Sequence, residues 1–555
     1  MTDHAISTST DGTMGREDFK VLAASTVGTI FEWFDFFLYG SLAVIISRHF
    51  FAGVNDTTAF VLALMAFAAG FAVRPLGAIV FGFLGDLFGR KKTFILTLTL
   101  MGVATFAVGL LPDYSQIGAA APWILVTLRM LQGLSVGGVY GGAATYVAEH
   151  VPAHRRGYYT SYIQTTATVG MALSLVVIFV TRSIMGEAAF ADWGWRIPFL
   201  MSCLLLGVTL WIQTKLAESP VYLRMKASGK GSAHPWKDAF GHWENLKLIL
   251  ISLFGMTIGL AVVWYAAQFY VLFFLERVLK VDGAVTNLLV ALSLLIATPL
   301  FVFFGWLSDK VGRKPIILGA CLLAAVTYFP LFKALTAAAN PDLARAIASS
   351  PVTVVADPRE CSFQFDPVGK ATFSTSCDIA RSYLTRAGVT YDGVDAAPGT
   401  VAELRVGDKT LTAFAGESLP AAELAAKRAA WEKEAAALVT SAGYPLGTVD
   451  NDKINMPLVV LIVTLLMVPA CMVYGPAAAL LAEIFPAKVR YTSLSLPYHL
   501  GTGWFGGFLP TVSFAIVAAT GDIYSGLWYP LVLAALTFII GLLFLPETKD
   551  RDIKA

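Results

Sequence analysis

Long apolar runs separated by short polar segments follow one another along most of this chain. About 20 mainly apolar residues are enough for a helix to cross a bilayer. The pattern predicts twelve such helices, called span 1 to span 12 here. Their expected positions are 20–47, 58–84, 93–111, 122–147, 158–182, 194–214, 247–275, 285–307, 315–335, 456–482, 492–519 and 525–545. The expected fold class is an all-α polytopic membrane protein.

A charged hairpin occurs twice between these runs. GFLGDLFGRKK at 82–92 follows span 2, and GWLSDKVGRKP at 305–315 follows span 8, 223 positions later. Each copy separates two membrane-length segments. The repeat predicts two pseudo-symmetric six-helix bundles, an architecture typical of transporters.

A second repeat locates an insertion. AEHVPAHRR at 148–156 returns as AEIFPAKVR at 482–490, 334 positions later, so about 111 additional residues separate span 9 from span 10. This polar segment, 336–455, predicts a small α/β domain with strands at Val352–Ala356 and Cys361–Phe365 and a helix at Ala421–Val439. Three of the five cysteines lie in apolar runs, which leaves Cys361 and Cys377 as the candidate disulfide.

Basic residues in the short loops set the expected orientation. They cluster at one end of the spans, so both termini are expected in the cytoplasm and the insertion on the opposite, periplasmic side of a bacterial inner membrane. The expected division is an N-terminal tail 1–19, a six-helix bundle 20–214, a central loop 215–246, spans 7–9 at 247–335, the insertion 336–455, spans 10–12 at 456–545, and a C-terminal tail 546–555.

The amino-acid composition also indicates a membrane protein. Hydrophobic residues make up 56% of the chain and charged residues 14%, more apolar surface than a soluble protein could bury. Met1 to Asp18 has no basic start and no small-residue cleavage site, so a cleaved signal peptide is not expected. The sequence shows no Walker motif and no spacing typical of metal ligands. No enzyme activity, cofactor, metal or nucleic acid is therefore expected.

Several motifs resemble the major facilitator superfamily, and more narrowly its metabolite:proton symporter family. The hairpin at 82–92 and 305–315 is similar to the loop signature of the superfamily. The narrower resemblance lies in GTIFEWFDF at 28–36, RPLG at 74–77, RMLQGLSVGG at 129–138 and YVAE at 146–149. It covers both halves but not the insertion.

The resemblance implies a secondary transporter that imports a small organic anion by proton symport and alternating access. Carriers of citrate, 2-oxoglutarate, shikimate, and proline or betaine belong to that family. Two positions depart from its pattern: Val139 stands where the family usually has Glu, and Thr29 where it usually has Asn. Because Val139 cannot ionise, the departure leaves proton coupling an open question.

Four ionisable residues inside predicted spans stand out, because a charge is costly there and usually functional. Glu32 and Asp35 are three positions apart on one helix face, and two such close carboxylates cannot both ionise cheaply in a low dielectric. We expect Asp35, with Glu32, to carry the proton, unless one of them is permanently paired with an arginine. Arg129, supported by Arg74, is expected to bind an anionic substrate. Alternatively, Arg74 holds a helix end and Arg129 only neutralises Asp35 or Glu32.

Charged groups are scarce inside the predicted spans of the second half. The polar candidates for substrate binding there are Tyr265, Gln268 and Tyr498, with Gln164 from span 5. Trp264, Tyr270 and His499 are further polar positions. Such aromatic residues more often face lipid or line helix contacts.

Charges at the expected cytoplasmic end repeat between the halves and predict a cytoplasmic gate. The first-half members are Asp86, Arg90, Glu149, Arg156 and Glu218, and their counterparts are Asp309, Arg313, Glu483, Arg490 and Glu547. Opposite charges there would hold the inner mouth closed. The alternative is a solvated positive-inside anchor without a gating role.

Three further interpretations stay open at this point. The chain could be a uniporter or exchanger on the same fold, an osmolyte carrier for proline or betaine, or a receptor that senses through the insertion. The expected partners are a small-molecule substrate, protons and the lipid bilayer, and the expected functional unit is a monomer.

Overall fold

The computed structural model describes residues 16–52, 56–214, 218–229, 232, 234–364 and 372–553. Eleven of its helices are long and apolar enough to cross a membrane. A twelfth span results if the bent pair Glu187–Gly194 and Arg196–Trp211, with an angle of 62° between them, is one span. The predicted helical membrane fold with a small inserted sheet is confirmed. Residues 1–15 of the tail and 215–217, 230, 231 and 233 of the central loop lie outside the described residues.

The spans extend beyond their predicted positions at several ends. In order, they are Arg16–Phe50, Asp56–Phe88, Arg90–Leu110, Ala120–His150, Arg156–Met185, Arg196–Thr214, Trp243–Val278, Gly283–Val311, Arg313–Ala339, Met456–Ile484, Ala487–Thr520 and Ser525–Phe544. Spans 2 and 4 pack closely, as do spans 1 and 5. Spans 5 and 8, and spans 2 and 11, form the most extensive contacts between the two halves.

The turns of the repeated hairpin have the same backbone conformation in both halves. Gly89 has φ 116° and Gly312 has φ 107°, values that only glycine adopts readily. A Cβ atom at Gly89 would collide with the carboxylate of Glu218, and one at Gly312 would collide with that of Glu547. Glycine is therefore required twice, by the turn and by the carboxylate beside it.

Span 7 is irregular. It contains three π-helical segments, Leu253–Thr257, Ala266–Tyr270 and Phe274–Val278, and span 11 contains one at Gly501–Gly506. Such segments are typical of functional positions in helices. The Ala266–Tyr270 segment contains Gln268 and directly follows Tyr265.

The insertion between spans 9 and 10 contains a four-stranded sheet. The strands are β1 Val352–Ala356, β2 Asp392–Asp395, β3 Glu403–Val406 and β4 Lys409–Thr412, in the order β2-β1-β3-β4. β1 is parallel to β2 and antiparallel to β3. Helices Pro341–Ser349, Ser376–Ala387 and Ala421–Ser441 surround it.

Backbone hydrogen bonds fix the insertion to one end of the second bundle. The N–H of Val449 donates to the carbonyl of Lys280 (2.9 Å) between spans 7 and 8. The N–H of Tyr391 donates to the carbonyl of Gly521 (3.1 Å) between spans 11 and 12. The side chain of Asn340 donates to the carbonyl of Leu279 (3.0 Å). The insertion is thus attached to two loops of the second bundle as well as to its own two ends.

The strand predicted at Cys361–Phe365 is wrong for residues 361–364, and Phe365 lies outside the described residues. The carboxylate of Asp378 accepts hydrogen bonds from the N–H of Ser362 (2.8 Å) and from Nε2 of Gln364 (2.8 Å). A disulfide joins Cys361 to Cys377, with their Cα atoms 5.1 Å apart. These contacts hold the segment against the helix Ser376–Ala387, so it pairs with a side chain instead of a strand.

Candidate functional site

The four intramembrane charges that were predicted to be functional line one small cavity of about 30 Å³. Spans 1, 2 and 4 form its wall. The lining residues are Glu32, Asp35, Phe36, Gly70, Phe71, Arg74, Arg129, Gln132, Gly133 and Val136. The glycines allow this arrangement because spans 2 and 4 touch there: a Cβ at Gly133 would lie 2.0 Å from the carbonyl oxygen of Gly70.

Asp35 and Arg129 form the first charged pair of the cavity. Nη2 of Arg129 lies 3.9 Å from Oδ1 of Asp35, and both side chains are buried. Nε2 of Gln132 donates to the same oxygen (3.2 Å) and to Oγ1 of Thr105 (2.8 Å). The guanidinium of Arg129 also lies over the ring of Tyr39, 4.0 Å from its centroid. Asp35 is thus hydrogen-bonded mainly by a neutral amide.

Glu32 and Arg74 form the second charged group. Glu32 is 8% exposed and interacts electrostatically with Arg74. The guanidinium of Arg74 lies 4.3 Å from the ring centroid of Phe71 and 5.7 Å from that of Phe36. The ring of Phe71 lies 6.4 Å from that of Tyr265, which brings a side chain of the second half to this site.

Both arginines keep buried N–H groups without a hydrogen-bond acceptor in the part of the chain that the structure describes. These are Nε and Nη2 of Arg129 and Nε of Arg74. Buried donors are nearly always satisfied in proteins. Unpaired guanidinium N–H groups that point at a cavity can bind a carboxylate, in a planar and often bidentate geometry.

Aromatic rings of spans 1 and 7 meet beside this cavity. The rings of Trp33 and Trp264 are 5.4 Å apart, and those of Phe36 and Phe269 5.8 Å apart. Phe37 and Phe269 are stacked at 6.4 Å. These five residues, called the aromatic layer here, join the two halves. Of the five, only Trp264 was a predicted polar position. The spacing of positions 33, 36 and 37 on one helix face was the available signal.

The other polar candidates occupy different places. Nε2 of Gln164 donates to the hydroxyl of Tyr140 (2.9 Å), and the rings of Tyr140 and Tyr498 stack at 3.6 Å across the two halves. Tyr140 was not predicted. Gln268 is 4% exposed but is not part of the cavity lining. His499 is buried, and neither ring nitrogen has a hydrogen-bond partner among the described residues.

Four of the predicted gate residues form two ion pairs between the halves. Nη1 of Arg490 lies 2.6 Å from Oε1 of Glu149, and Nη1 of Arg156 lies 2.9 Å from Oε1 of Glu483. All four side chains are buried. Each pair joins one half to the other, and the two pairs are exchanged by the pseudo-symmetry.

The motif aspartates also reach across to the opposite half. Asp86 accepts a hydrogen bond from the backbone N–H of Thr492 (2.9 Å), at the start of span 11. Asp309 accepts one from the N–H of Gly157 (2.8 Å), at the start of span 5. Helix N-termini carry free N–H groups and a partial positive charge, so a carboxylate is stabilised there.

The motif arginines lie between these acidic groups. Nη1 of Arg90 lies 3.2 Å from Asp86, and its Nε lies 3.7 Å from Glu149. Arg313 takes the matching place in the second half, 2.7 Å from Asp309. Each arginine therefore connects a hairpin aspartate to a glutamate of an interbundle pair.

Glu218 and Glu547, the last two predicted gate residues, accept hydrogen bonds from backbone N–H groups next to the hairpin turn of their own half. Glu218 accepts from the N–H of Lys91 (3.1 Å), and Glu547 accepts from those of Arg313 (2.9 Å) and Lys314 (3.0 Å). Burial raises the pKa of Glu547, but the backbone N–H donors, that of Arg313 first, lower it more strongly, so its pKa lies below the ordinary value. Glu547 thus binds the start of span 9 as an anion.

No group of His, Cys, Asp and Glu in the described ranges has a geometry that could hold a metal ion. The cavity and the gate are instead built from paired charges and aromatic rings. Such an arrangement suits reversible binding of a small polar molecule between two halves that separate at one end.

The family described as "Sugar (and other) transporter" matches residues 20–237 and 435–555. The proline/betaine transporter of Escherichia coli K12 is 33% identical over 326 residues, which cover 56% of this chain and 64% of that protein. This chain thus spans slightly less than two thirds of that relative's length. The alpha-ketoglutarate permease of Escherichia coli K12 is also 33% identical over 326 residues, covering 59% of this chain and 74% of the permease.

Solved structures with this fold include the proton:xylose symporter XylE of E. coli, a major facilitator superfamily protein. XylE bound to a brominated glucose is 17% identical, with a TM-score of 0.60 over 97% of this chain and 98% of that one. This likeness concerns the fold. The four strands of the insertion lie between the two ranges that match the transporter family.

Proposed function

Because this chain belongs to the family of sugar and other transporters, within the major facilitator superfamily, we propose that it imports a small organic anion by proton symport. Its relatives are transporters and not enzymes. The proposed location is a bacterial inner membrane, with both termini in the cytoplasm and the insertion in the periplasm. The cluster of basic residues at the gate end of the spans supports this orientation.

The loose contact between Asp35 and Arg129 carries the proposal. At 3.9 Å the two groups attract each other without a hydrogen bond. A proton on Asp35 would remove its charge and leave the guanidinium of Arg129, with its two unpaired buried nitrogens, free to bind a substrate carboxylate. Proton and anion would then be bound at the same site, as symport requires, once the site widens from the volume of about 30 Å³ that it has in this conformation.

Arg74 and Glu32 have a supporting role in this scheme. The Arg74 guanidinium lies over the aromatic faces of Phe71 and Phe36, which fix its position without neutralising its charge. It can bind a second anionic or carbonyl group of the substrate. Glu32 balances Arg74 in the empty cavity and is a second candidate for protonation.

The gate cluster supports alternating access. Two buried interbundle ion pairs and two carboxylate-capped helix ends join the halves at one end. They hold that end closed in this conformation. When the bundles rock, the same groups would separate and become hydrated, which opens the cavity to the cytoplasm.

A second candidate is the transport of a zwitterionic osmolyte. The aromatic layer beside the cavity is the observation that favours it, because aromatic faces bind quaternary ammonium groups. Relatives from Escherichia coli K12 and Salmonella typhimurium are named proline/betaine transporters. In this case an arginine would hold the single carboxylate and the rings would hold the cationic end.

A third candidate is transport without proton coupling, as in a uniporter or exchanger. The observation behind it is Val139, which is fully buried where the metabolite:proton symporters usually have a glutamate. A coupling scheme that needed that glutamate would not operate here. The scheme based on Asp35 does not need it.

The test is uptake by the purified full chain in proteoliposomes under an imposed pH gradient. Labelled dicarboxylates, monocarboxylates, proline and glycine betaine are compared at equal concentrations. The proposal expects a carboxylic acid to accumulate and betaine not to compete. Accumulation of betaine alone would establish the second candidate in its place, and downhill equilibration without accumulation would establish the third.

A further inference from the structure

A large open groove lies next to the gate, between the start of span 1, the start of span 5 and the end of span 8. Its volume is about 1350 Å³, far larger than that of the central cavity. The side chains that line it are Phe19, Leu22, Ala23, Thr26, Val27, His154, Arg155, Tyr158, Tyr159, Tyr162, Trp306, Asp309 and Lys310. This groove is called the 1–5–8 groove here.

The 1–5–8 groove combines an apolar wall with a basic rim. Trp306 is 40% exposed and Phe19 is 63% exposed, and both lie in membrane spans, where an exposed side chain can face lipid. Arg155 forms no ion pair with any described carboxylate, and the ammonium of Lys310 lies over the ring of Trp306, 4.0 Å from its centroid. Asp309, the acidic group of the lining, is already bound to Arg313 (2.7 Å). The rim therefore carries positive charge that the described protein does not neutralise.

The pseudo-symmetric position shows what such a groove accepts. The matching groove lies between spans 7, 11 and 2, and the short helix Pro235–Phe240 covers it. The ring of Trp236 packs 5.1 Å from that of Phe83, which corresponds to Trp306. The carboxylate of Asp238 lies 3.7 Å from the ammonium of Lys488, which corresponds to His154. In that half the protein itself supplies an apolar group and an anion.

We propose that the 1–5–8 groove binds an anionic phospholipid, whose headgroup lies at Arg155 and Lys310 and whose acyl chains lie along Phe19, Ala23 and Trp306. Basic residues at the bilayer surface attract anionic lipids, and exposed aromatic and aliphatic side chains favour acyl chains. The chain segment before span 1 is the competing occupant. Its residues 1–15 contain no Phe, Tyr or Trp that could replace Trp236.

The groove also connects lipid binding to the gate. Arg155 belongs to the first half, and Lys310 belongs to the second. Asp309, which lines the same groove, accepts the N–H of Tyr158 (2.7 Å) across the interface. A headgroup that bridges Arg155 and Lys310 joins the two halves beside this contact, so the bound lipid favours the closed gate. The inference does not depend on which substrate is transported.

The experiment uses the full chain, delipidated in a neutral detergent. Phosphatidylglycerol, phosphatidylcholine with the same acyl chains, and inorganic phosphate are added in turn. Tm is measured by thermal shift, and bound lipids are counted by native mass spectrometry. We expect phosphatidylglycerol to raise Tm and to remain bound, phosphatidylcholine to do so far less, and phosphate to have no effect.

Variants locate the site. The double variant Arg155→Gln/Lys310→Gln should lose the response to phosphatidylglycerol, while Lys488→Gln, at the matching covered groove, should keep it. Size-exclusion chromatography of each variant without lipid establishes that it is folded. Equal responses to both lipids, or an unchanged response in the double variant, would overturn the proposal. A shift with phosphate alone would also overturn it, because the acyl chains would then be unnecessary.

The competing occupant is tested by deleting residues 2–15. If phosphatidylglycerol protects the shortened chain as well as the full chain, the groove is open to lipid in both. If the deletion creates a lipid response that the full chain lacks, the N-terminal segment occupies the groove and the proposal fails.

Discussion

Nη2 of Arg129 lies 3.9 Å from Oδ1 of Asp35, beyond hydrogen-bond distance, although both side chains are buried. A buried ion pair normally needs close contact to offset the loss of hydration. Here Gln132 and Tyr39 fill part of that role. The pair is thus held together loosely enough for a proton and a carboxylate to separate it, as the proposed symport requires.

Replacing Asp35 with Asn should separate coupling from binding. The amide keeps the hydrogen bond from Gln132 or its equivalent but cannot exchange a proton. Uptake driven by a pH gradient is expected to vanish, while exchange of internal for external substrate continues. Both are measured in proteoliposomes. Gradient-driven uptake at the wild-type rate would show that Asp35 does not carry the proton.

Arg129→Ala should weaken substrate binding. A hydrogen bond to a charged group contributes about 1.5–3 kcal/mol, which is about a 10- to 100-fold change in affinity. Arg129→Lys should be intermediate, because an ammonium lacks the planar pair of donors. Isothermal titration of the substrate found in the uptake screen measures the change. Arg182→Ala is the control, since its ion pair with Glu187 is exposed and should leave affinity unchanged. Wild-type affinity in Arg129→Ala would remove Arg129 from the site.

Much of the arrangement was predictable from sequence. The offset between the two repeats located the insertion, and the intramembrane charges Glu32, Asp35, Arg74 and Arg129 do line one cavity. The rarity of charges in apolar spans made that possible, because each one is conspicuous. The repeated acidic and basic positions likewise included the residues that form the interbundle ion pairs and helix caps, namely Asp86, Glu149, Arg156, Asp309, Glu483 and Arg490.

Other features depend on contacts between distant segments. The sequence does not distinguish Phe36, Phe37 and Phe269 from lipid-facing residues. Their role is defined by the contact between spans 1 and 7. Strand β2 is exposed at every position and has no alternating pattern, so only its pairing with β1 defines it. The attachment of the insertion to Lys280 and Gly521 uses backbone groups, which leave no trace in side-chain patterns.

Reversing the charges of one interbundle pair should open the gate. Glu149→Arg adds a third cation beside Arg90 and Arg490, and Arg490→Glu places two anions together, and like charges in a buried site repel. Each single variant should lengthen the distance between spin labels at Lys92→Cys and Val311→Cys, measured by pulsed electron paramagnetic resonance. The double variant Glu149→Arg/Arg490→Glu restores opposite charges and should shorten it again. If it behaves like the sum of the two single variants, the pair does not hold the gate closed.

Removing the insertion should preserve transport. The N–H of Asn455 donates to the carbonyl of Ala338 (2.9 Å), so the ends of the insertion lie side by side. A linker of about four Gly and Ser residues can therefore replace residues 341–453. We expect uptake to continue and Tm to fall, because the bonds at Lys280 and Gly521 are lost. Loss of uptake in a folded variant would show that the insertion takes part in transport or, as in a receptor, in sensing.

Breaking the disulfide should destabilise the insertion. Cys361 and Cys377 are 16 residues apart, and closing a loop of that length stabilises a fold by about 3 kcal/mol in the chain-entropy view. Cys361→Ser/Cys377→Ser should lower the protease resistance of the insertion, measured by limited proteolysis. Cys203→Ser is the control, since that cysteine is unpaired. Unchanged digestion in the double variant would mean that the Asp378 contacts suffice.

Proton movement on addition of substrate tests the central claim most directly. Proteoliposomes with an internal pH dye receive the organic acid identified by the uptake screen, in the absence of any imposed gradient. The proposed symport predicts internal acidification with the wild-type chain and none with Asp35→Asn, although that variant still binds substrate. Substrate entry through the wild-type chain with no change in internal pH would contradict the account.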